Sequence, residues 1–169
     1  SICLMPTNLY GPGDNYNLKN SHVLPALIRK FYEAKLKNSE SVTCWGTGKP
    51  LREFLHVNDL GDACVFSLEN WNPDKQDSPV DRNGKKLTFL NVGSGKDISI
   101  KSLAEIISKE IKYKGQIIWD DNLPDGTPRK LLDVRKISSL GWTPKIDLKI
   151  GISKTIKDFT YKIKNKQLR

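Results

Sequence analysis

The sequence has few of the residues that build metal centres or disulfide scaffolds. Of its 169 residues, three are cysteines and two are histidines. Cys3, Cys44 and Cys64 are odd in number, stand in apolar surroundings and form no Cys-x-x-Cys pair. We therefore predict no metal site, and reduced, buried thiols in a cytoplasmic protein.

Long apolar runs are also missing. No stretch approaches the roughly 20 apolar residues of a membrane span, and no basic head precedes a short apolar core as in a signal peptide. With 37% hydrophobic and 28% charged residues, the composition is that of a globular chain able to bury a core. We expect no membrane partner.

Several fingerprints of nucleotide binding and reduction are absent. The chain contains no Gly-x-Gly-x-x-Gly. The GSGK segment is not a phosphate loop, because Leu90 replaces its first glycine and Asp97 stands where Ser or Thr is needed. No tyrosine is followed four positions later by lysine, so a Tyr-x-x-x-Lys proton donor is also absent.

The net charge of +9 is concentrated at one end. Residues 1–128 hold 16 basic and 16 acidic residues, whereas residues 129–169 hold 12 basic and 3 acidic ones. Nucleic acid binding would explain this excess. The alternation of lysine with isoleucine and phenylalanine over 148–164 instead favours an amphipathic helix with a solvated face. We expect no nucleic-acid partner, and a non-catalytic basic binding module is the alternative.

Hydrophobic periodicity predicts an α/β chain of order βαββαβαββαα. The segment 87–92 is apolar nearly throughout, which predicts a central strand of a parallel sheet. Asn20–Ser21, Asn58 and Ser99 are expected helix caps, and residues 6–20 are expected to be a loop that is either functional or disordered. The remaining strands are predicted at 2–5, 42–45, 53–57, 116–119 and 131–133, and the remaining helices at 23–34, before Gly141 and over 148–164.

The two histidines have different surroundings. His22 follows the polar loop and lies at the start of a helix, outside its apolar stripe. A helix N-terminus disfavours the imidazolium and can tune a histidine for acid–base work. His56 lies within an apolar strand, and its expected role is structural, as a partner of Asp59 or of a backbone carbonyl.

The stretch CWGTGKPLREFLHVND suits a nucleotide diphosphate. Its glycines let the backbone approach a ligand, Arg52 offers a fork for phosphate oxygens, and Trp45 offers a ring for stacking. The alternative is a β-hairpin with a GTGKP turn and ordinary surface charges. Further along, PDGTPRK combines a carboxylate, a glycine turn and two cations, which suits sugar hydroxyls and phosphate.

Taken in order, five segments resemble the GDP-L-fucose synthase family of extended short-chain dehydrogenase/reductases. They are PTNLYGPGDN, NSHVLPALIRKF, WGTGKPLREFLHVND, LNVGSGKDISI and PDGTPRKLLDVRKISSLGW. The resemblance implies the C-terminal part of an NAD(P)-binding Rossmann fold plus a small α/β substrate-binding lobe. Residues 1–20 and 87–112 would be the last Rossmann elements, and 21–70 and 113–169 mainly the lobe.

The resemblance also implies a cofactor and a catalytic residue. The cofactor is NADP(H), and the residues similar to those at its nicotinamide end are Pro6, Thr7, Asn8 and Leu9. His22 resembles the family histidine that lies at the cofactor and acts as an acid in epimerisation.

A GDP-sugar site is implied in the same way. Lys30, Trp45 and Arg52 resemble positions that hold the substrate, and Asp125 resembles a carboxylate that contacts it. The family more often has arginine at the position of Lys30, and lysine keeps the charge but loses the bidentate fork.

The implied activity is NADPH-dependent 3,5-epimerisation and 4-reduction of GDP-4-keto-6-deoxymannose by a homodimer. The Gly-rich loop and the Ser/Tyr-x-x-x-Lys set of the family are not in this chain, and Ser1 leads directly into an apolar strand. We therefore predict a C-terminal half that is inactive alone. Another nucleotide-sugar epimerase or dehydratase of the same fold is the alternative.

Overall fold

The computed structural model describes residues 2–167 as an α/β structure of eight strands and five helices. The strands are β1 Cys3–Pro6, β2 Asn8–Tyr10, β3 Ser41–Trp45, β4 Leu51–His56, β5 Phe89–Val92, β6 Asp97–Ser99, β7 Gln116–Asp120 and β8 Arg129–Lys130. The helices are α1 Val23–Leu36, α2 Val57–Asn70, α3 Ile100–Ile111, α4 Arg135–Ser139 and α5 Leu148–Lys164. Among these residues, no helix is long and apolar enough to cross a membrane.

The strands form three small, mainly parallel sheets. β1 pairs with β5 and β3 pairs with β7, both in parallel. β4 is the centre of the largest sheet, where β2 and β8 run parallel to it and β6 runs antiparallel. The alternation of helices with parallel strands confirms the predicted α/β class.

The hairpin prediction for 42–45 and 53–57 is wrong. β3 and β4 do not pair with each other: Val42 lies opposite Ile117 of β7, and Leu55 lies opposite Leu9 of β2. Parallel partners are necessarily distant in sequence, so two strands on either side of a glycine turn resemble a hairpin even when each pairs elsewhere. The GTGKP segment therefore connects two sheets.

Other strand predictions shift or fail. β2 lies inside the segment predicted to be loop, and β6 was not predicted at all. The strand expected at 131–133 is replaced by β8, Arg129–Lys130, on its N-terminal side. The segment 87–92 was predicted to be a central strand, which needs a neighbour on both sides. Within residues 2–167, β5 pairs only with β1 and so has one of these two neighbours.

Two hydrophobic clusters form the core. The larger one lies among α1, α3 and α5, where Phe31, Ile107 and Phe159 are fully buried. On α5, Lys154 and Lys157 are exposed on the face opposite to the buried Phe159. This confirms the predicted amphipathic helix, so a solvated helix face accounts for much of the C-terminal positive charge.

The smaller cluster packs α2 against β5 and α4. Its members are Leu55, Ala63, Trp71, Leu90, Val92, Ile137 and Trp142. Two of the three thiols depart from the prediction of burial: Cys44 is buried, whereas Cys3 and Cys64 are exposed. Cys3 is on an edge strand and Cys64 on the outer face of α2, so apolar neighbours in sequence did not imply burial.

Helix caps agree with the prediction at one of three sites. Ser99 caps α3 by accepting the Ser102 N–H at 3.0 Å. The N-cap of α1 is His22 rather than Asn20 or Ser21. α2 begins one residue before the predicted cap, Asn58.

His56 caps α2. Its Nδ1 accepts the Asn58 N–H at 3.2 Å. His56 is buried, but the expected pairing with Asp59 is not found. The Asp59 carboxylate instead accepts the N–H groups of Lys145 and Ile146. The Nε2 of His56 has no hydrogen-bond partner in the described structure. Burial lowers the pKa of His56, and the positive charge of Lys154 also lowers it while Asp59 raises it.

This geometry predicts a loss of stability on mild acidification. The unfolded chain binds a proton at His56 as the pH falls through about 6.5, whereas the folded chain resists it until the pH is lower. The free energy of unfolding should therefore fall between about pH 7.5 and about pH 5.5. In His56→Asn, which keeps a capping side chain, urea unfolding at the two pH values should show a smaller difference. In His22→Gln the difference should persist, and its loss there would contradict the assignment to His56.

Candidate functional site

A cavity of about 720 Å³ brings together the residues that the sequence pointed to as a cofactor site. Pro6, Thr7, Asn8, Leu9 and His22 all line it. Its size lies within the range of small-molecule sites. Two segments separated by a long polar loop therefore meet at one concave surface.

Backbone pairing and side-chain hydrogen bonds hold the segment 6–9 in place. The Thr7 N–H donates to the Val92 carbonyl at 3.0 Å. Asn8 Nδ2 and Thr7 Oγ1 donate to the Glu53 carbonyl at 2.7 and 3.3 Å. The side chains of Thr7 and Asn8 thus fix this segment to β4, and all four of its residues line the cavity.

His22 lies at the N-terminus of α1 with its side chain exposed. It takes the extended conformation of an N-cap (φ −70°, ψ 164°), but its imidazole makes no capping hydrogen bond. The next residues turn the apolar face of α1 into the core, with Leu24 and Ile28 fully buried. The helix is therefore anchored while the imidazole stays available to the cavity.

Glu53 organises this site and was missed by the sequence analysis. It is fully buried in the middle of β4. Its Oε1 accepts the Gly95 N–H at 2.7 Å, and its Oε2 accepts the Leu132 N–H at 2.9 Å. A Cβ on Gly93 would lie 2.3 Å from Oε1, so glycine is needed there for the close approach. Glu53 stands beside Arg52 in the sequence of β4, so no local signal distinguished it from a surface carboxylate.

The lining of this cavity also includes positively charged residues. Arg129 and Lys130 line it together with Leu131 and Leu132. Arg129 Nε forms an ion pair with Asp97 on β6, and this pairing raises the pKa of the guanidinium. The PDGTPRK segment is therefore part of the site through its last two residues.

Lys30 and Trp45 meet at a second cavity, of about 310 Å³. Lys30 Nζ lies 5.8 Å from the centroid of the Trp45 ring, a cation–π distance, and donates to the Thr43 carbonyl at 3.2 Å. The Trp45 residue is 71% exposed. Ile100 and Trp119 add apolar surface, so the cavity combines an open aromatic face with a cation.

Arg52 lies on β4 and Asp125 lies in the loop between β7 and β8, and neither lines the two cavities above. Asp125 accepts the Thr47 N–H at 2.9 Å and the Thr47 hydroxyl at 2.6 Å. These hydrogen bonds lower the pKa of Asp125, with a smaller contribution from Arg52. Arg52 itself donates to the Leu51 carbonyl at 2.8 Å. The predicted substrate residues thus form two groups, with Lys30 and Trp45 in one and Arg52 and Asp125 in the other.

Comparison with known proteins gives a consistent set of relatives. The model of the NAD dependent epimerase/dehydratase family matches residues 1–80. "Putative GDP-L-fucose synthase 2" of Arabidopsis thaliana is 52% identical over 155 residues, which are 92% of this chain and 43% of that relative. The chain thus spans less than half the length of that relative.

Solved structures of GDP-sugar enzymes have the same fold. A GDP-6-OMe-4-keto-L-xylo-heptose reductase from C. jejuni superposes with a TM-score of 0.84 at 34% identity, covering 95% of this chain and 54% of that one. A GDP-L-fucose synthetase from Naegleria fowleri bound to NADP gives a TM-score of 0.83 at 25% identity, covering 98% and 48%. The family model and these solved structures agree that the chain is similar to members of the NAD dependent epimerase/dehydratase family.

Proposed function

We propose that this chain supplies the GDP-sugar-binding part, and one wall of the cofactor site, of an NADPH-dependent GDP-L-fucose synthase. The reaction would be 3,5-epimerisation and 4-reduction of GDP-4-keto-6-deoxymannose. The observation that carries the proposal is the single cavity shared by Pro6–Leu9 and His22. The relatives named above support the substrate class. The homodimer and the cytoplasmic location stay predictions.

His22 would move protons in this scheme. Loss of a proton from C3 or from C5, each next to the C4 ketone, leaves a carbanion at that carbon. Each carbanion must then be reprotonated on the opposite face to invert its centre. An imidazole held at the edge of a cavity and free of capping hydrogen bonds can supply that proton. NADPH, when bound along Pro6–Leu9, supplies the hydride that reduces C4.

The second cavity would receive the nucleotide. The exposed Trp45 ring offers a stacking surface, and Lys30 places a positive charge beside it. Arg52 would neutralise the diphosphate and Asp125 would contact the substrate from the loop between β7 and β8. We expect these four residues to contribute binding, since ground-state contacts lower KM without raising kcat.

A second candidate is reduction of a GDP-heptose. It is favoured by the similarity to the C. jejuni heptose reductase, at 34% identity and a TM-score of 0.84. Both candidates use a GDP-sugar and differ in the sugar.

The test is NADPH oxidation with GDP-4-keto-6-deoxymannose and with a GDP-4-keto-heptose. It is run on a chain that also carries a Gly-rich loop and a Tyr-x-x-x-Lys set, and on the 169-residue chain alone. We expect turnover of the deoxymannose substrate by the longer chain and none by the shorter one, which contains no Tyr-x-x-x-Lys. Preference for the heptose would reassign the substrate, and turnover by the shorter chain would place the proton donor within these residues.

A titration separates the nucleotide from the sugar. GDP should bind the 169-residue chain more tightly than UDP does, and Trp45→Ala should weaken GDP binding roughly 5- to 100-fold if the base stacks on the ring. Tyr161→Ala removes an aromatic ring that is 61% exposed on α5 and serves as the matched control. Equal affinities for GDP and UDP would contradict the proposed GDP specificity.

A further inference from the structure

We propose that Asp14 is the positioning residue for His22, holding the imidazole toward the cavity and keeping its proton in place. The inference rests on the proposed role of His22 as an acid. Asp14 and His22 lie eight positions apart on the loop before α1, and both line the first cavity.

The loop around Asp14 is tied down on both sides. The Gly13 N–H donates to Asp158 Oδ2 on α5 at 3.0 Å. Tyr16 is buried against Phe159, with ring centroids 4.5 Å apart, and its carbonyl accepts a hydrogen bond from Arg29 of α1 at 3.0 Å. A loop anchored at the residues before and after Asp14 holds that carboxyl in a defined position.

The Asp14 carboxyl has an unused acceptor. Its Oδ1 accepts the Asn15 N–H at 2.7 Å, whereas its Oδ2 is buried without a hydrogen-bond partner in the described structure. A buried acceptor left without a donor costs free energy. Burial raises the pKa of Asp14, while the Asn15 hydrogen bond and the charge of His22 lower it.

Of the basic residues that line the cavity, His22 is the one that we assign as the partner of the Asp14 carboxyl. Arg129 is paired with Asp97, and Lys130 is an exposed residue of β8. The first turn of α1 contains no acidic residue to offset the positive end of the helix dipole. The Asp14 carboxylate, on the preceding loop and in the same cavity as His22, would supply that negative charge.

The test uses NMR, because the chain has only two histidines and each can be followed separately. In Asp14→Asn, which keeps an acceptor for the Asn15 N–H, the midpoint of the His22 titration should move to lower pH by about one unit. The midpoint of His56 should stay unchanged and serves as the internal control. In Asp14→Glu, the His22 midpoint should lie close to its value in the unmodified chain.

This readout needs no turnover, so it separates the inference from the proposed function. An unchanged His22 midpoint in a folded Asp14→Asn variant would overturn the role of Asp14, whatever the activity. If both histidines shifted together, the variant would have disturbed the fold, and the Asp14→Glu titration would decide. A His22 midpoint in Asp14→Glu that matched Asp14→Asn would also overturn it.

Discussion

His22→Gln is expected to slow epimerisation by roughly 10²- to 10⁴-fold, the usual contribution of a general acid. Glutamine keeps a polar side chain of similar reach but cannot give up a proton near neutral pH. Binding of the GDP-sugar should change little, because Lys30 and Trp45 lie in the other cavity. The measurement is deuterium incorporation at C3 and C5 of the substrate in D₂O, in a chain that carries the Tyr-x-x-x-Lys set, with GDP-sugar affinity determined in parallel.

Lys37→Gln is the matched control for this experiment. Lys37 is an exposed residue at the C-terminal end of the same helix, so its replacement also introduces glutamine on α1 but far from the cavity. Deuterium incorporation should then match the unmodified chain. Equal losses of incorporation and of binding in His22→Gln would instead assign His22 to substrate binding.

Glu53→Gln is expected to lower the free energy of unfolding by about 3 kcal/mol. The carboxylate accepts one backbone N–H on each oxygen, from Gly95 and from Leu132. Glutamine has the same shape, but its amide group would face one of these N–H donors with another donor. Because Glu53 is fully buried, water cannot compensate the loss. Urea unfolding with a fixed m-value measures the effect.

The same variant should loosen the cavity, since Leu132 lies on its wall and the Glu53 backbone also holds Thr7 and Asn8. Glu105→Gln, an identical change at an exposed position of α3, should leave stability within about 0.5 kcal/mol. If the two variants unfolded at the same urea concentration, the Glu53 hydrogen bonds would not contribute to stability.

Helices were predicted more accurately than strand pairing, for a physical reason. The buried stripe of α5 repeats within one segment, so its position could be deduced from local sequence. The pairing of β3 with β7 brings together strands whose residues are far apart in the chain, and no local pattern records that partner. The three residues of β2 carry the Asn-Leu-Tyr of a polar loop, and their strand character comes only from β4.

The site was predicted in part. The resemblance named Pro6–Leu9 and His22, and the structure places them in one cavity, although their roles stay predictions. The sequence analysis missed Glu53 and Asp14 because an isolated acidic residue has the same appearance in sequence whether it is buried or solvated. Only the backbone N–H groups around Glu53, and the anchored loop around Asp14, distinguish them from surface carboxylates.

The attachment of the Asp14 loop to α5 affects the order in which the protein can assemble during synthesis. The hydrogen bond from Gly13 to Asp158 joins residues 145 positions apart. A ribosome releases the loop long before it releases the helix, and contacts of such high sequence separation form late and slowly. Until α5 has emerged and docked, Tyr16 has no Phe159 to pack against, and the polar loop remains exposed to proteases. The part of the first cavity that this loop lines should therefore be among the last parts of a nascent chain to become protease-resistant.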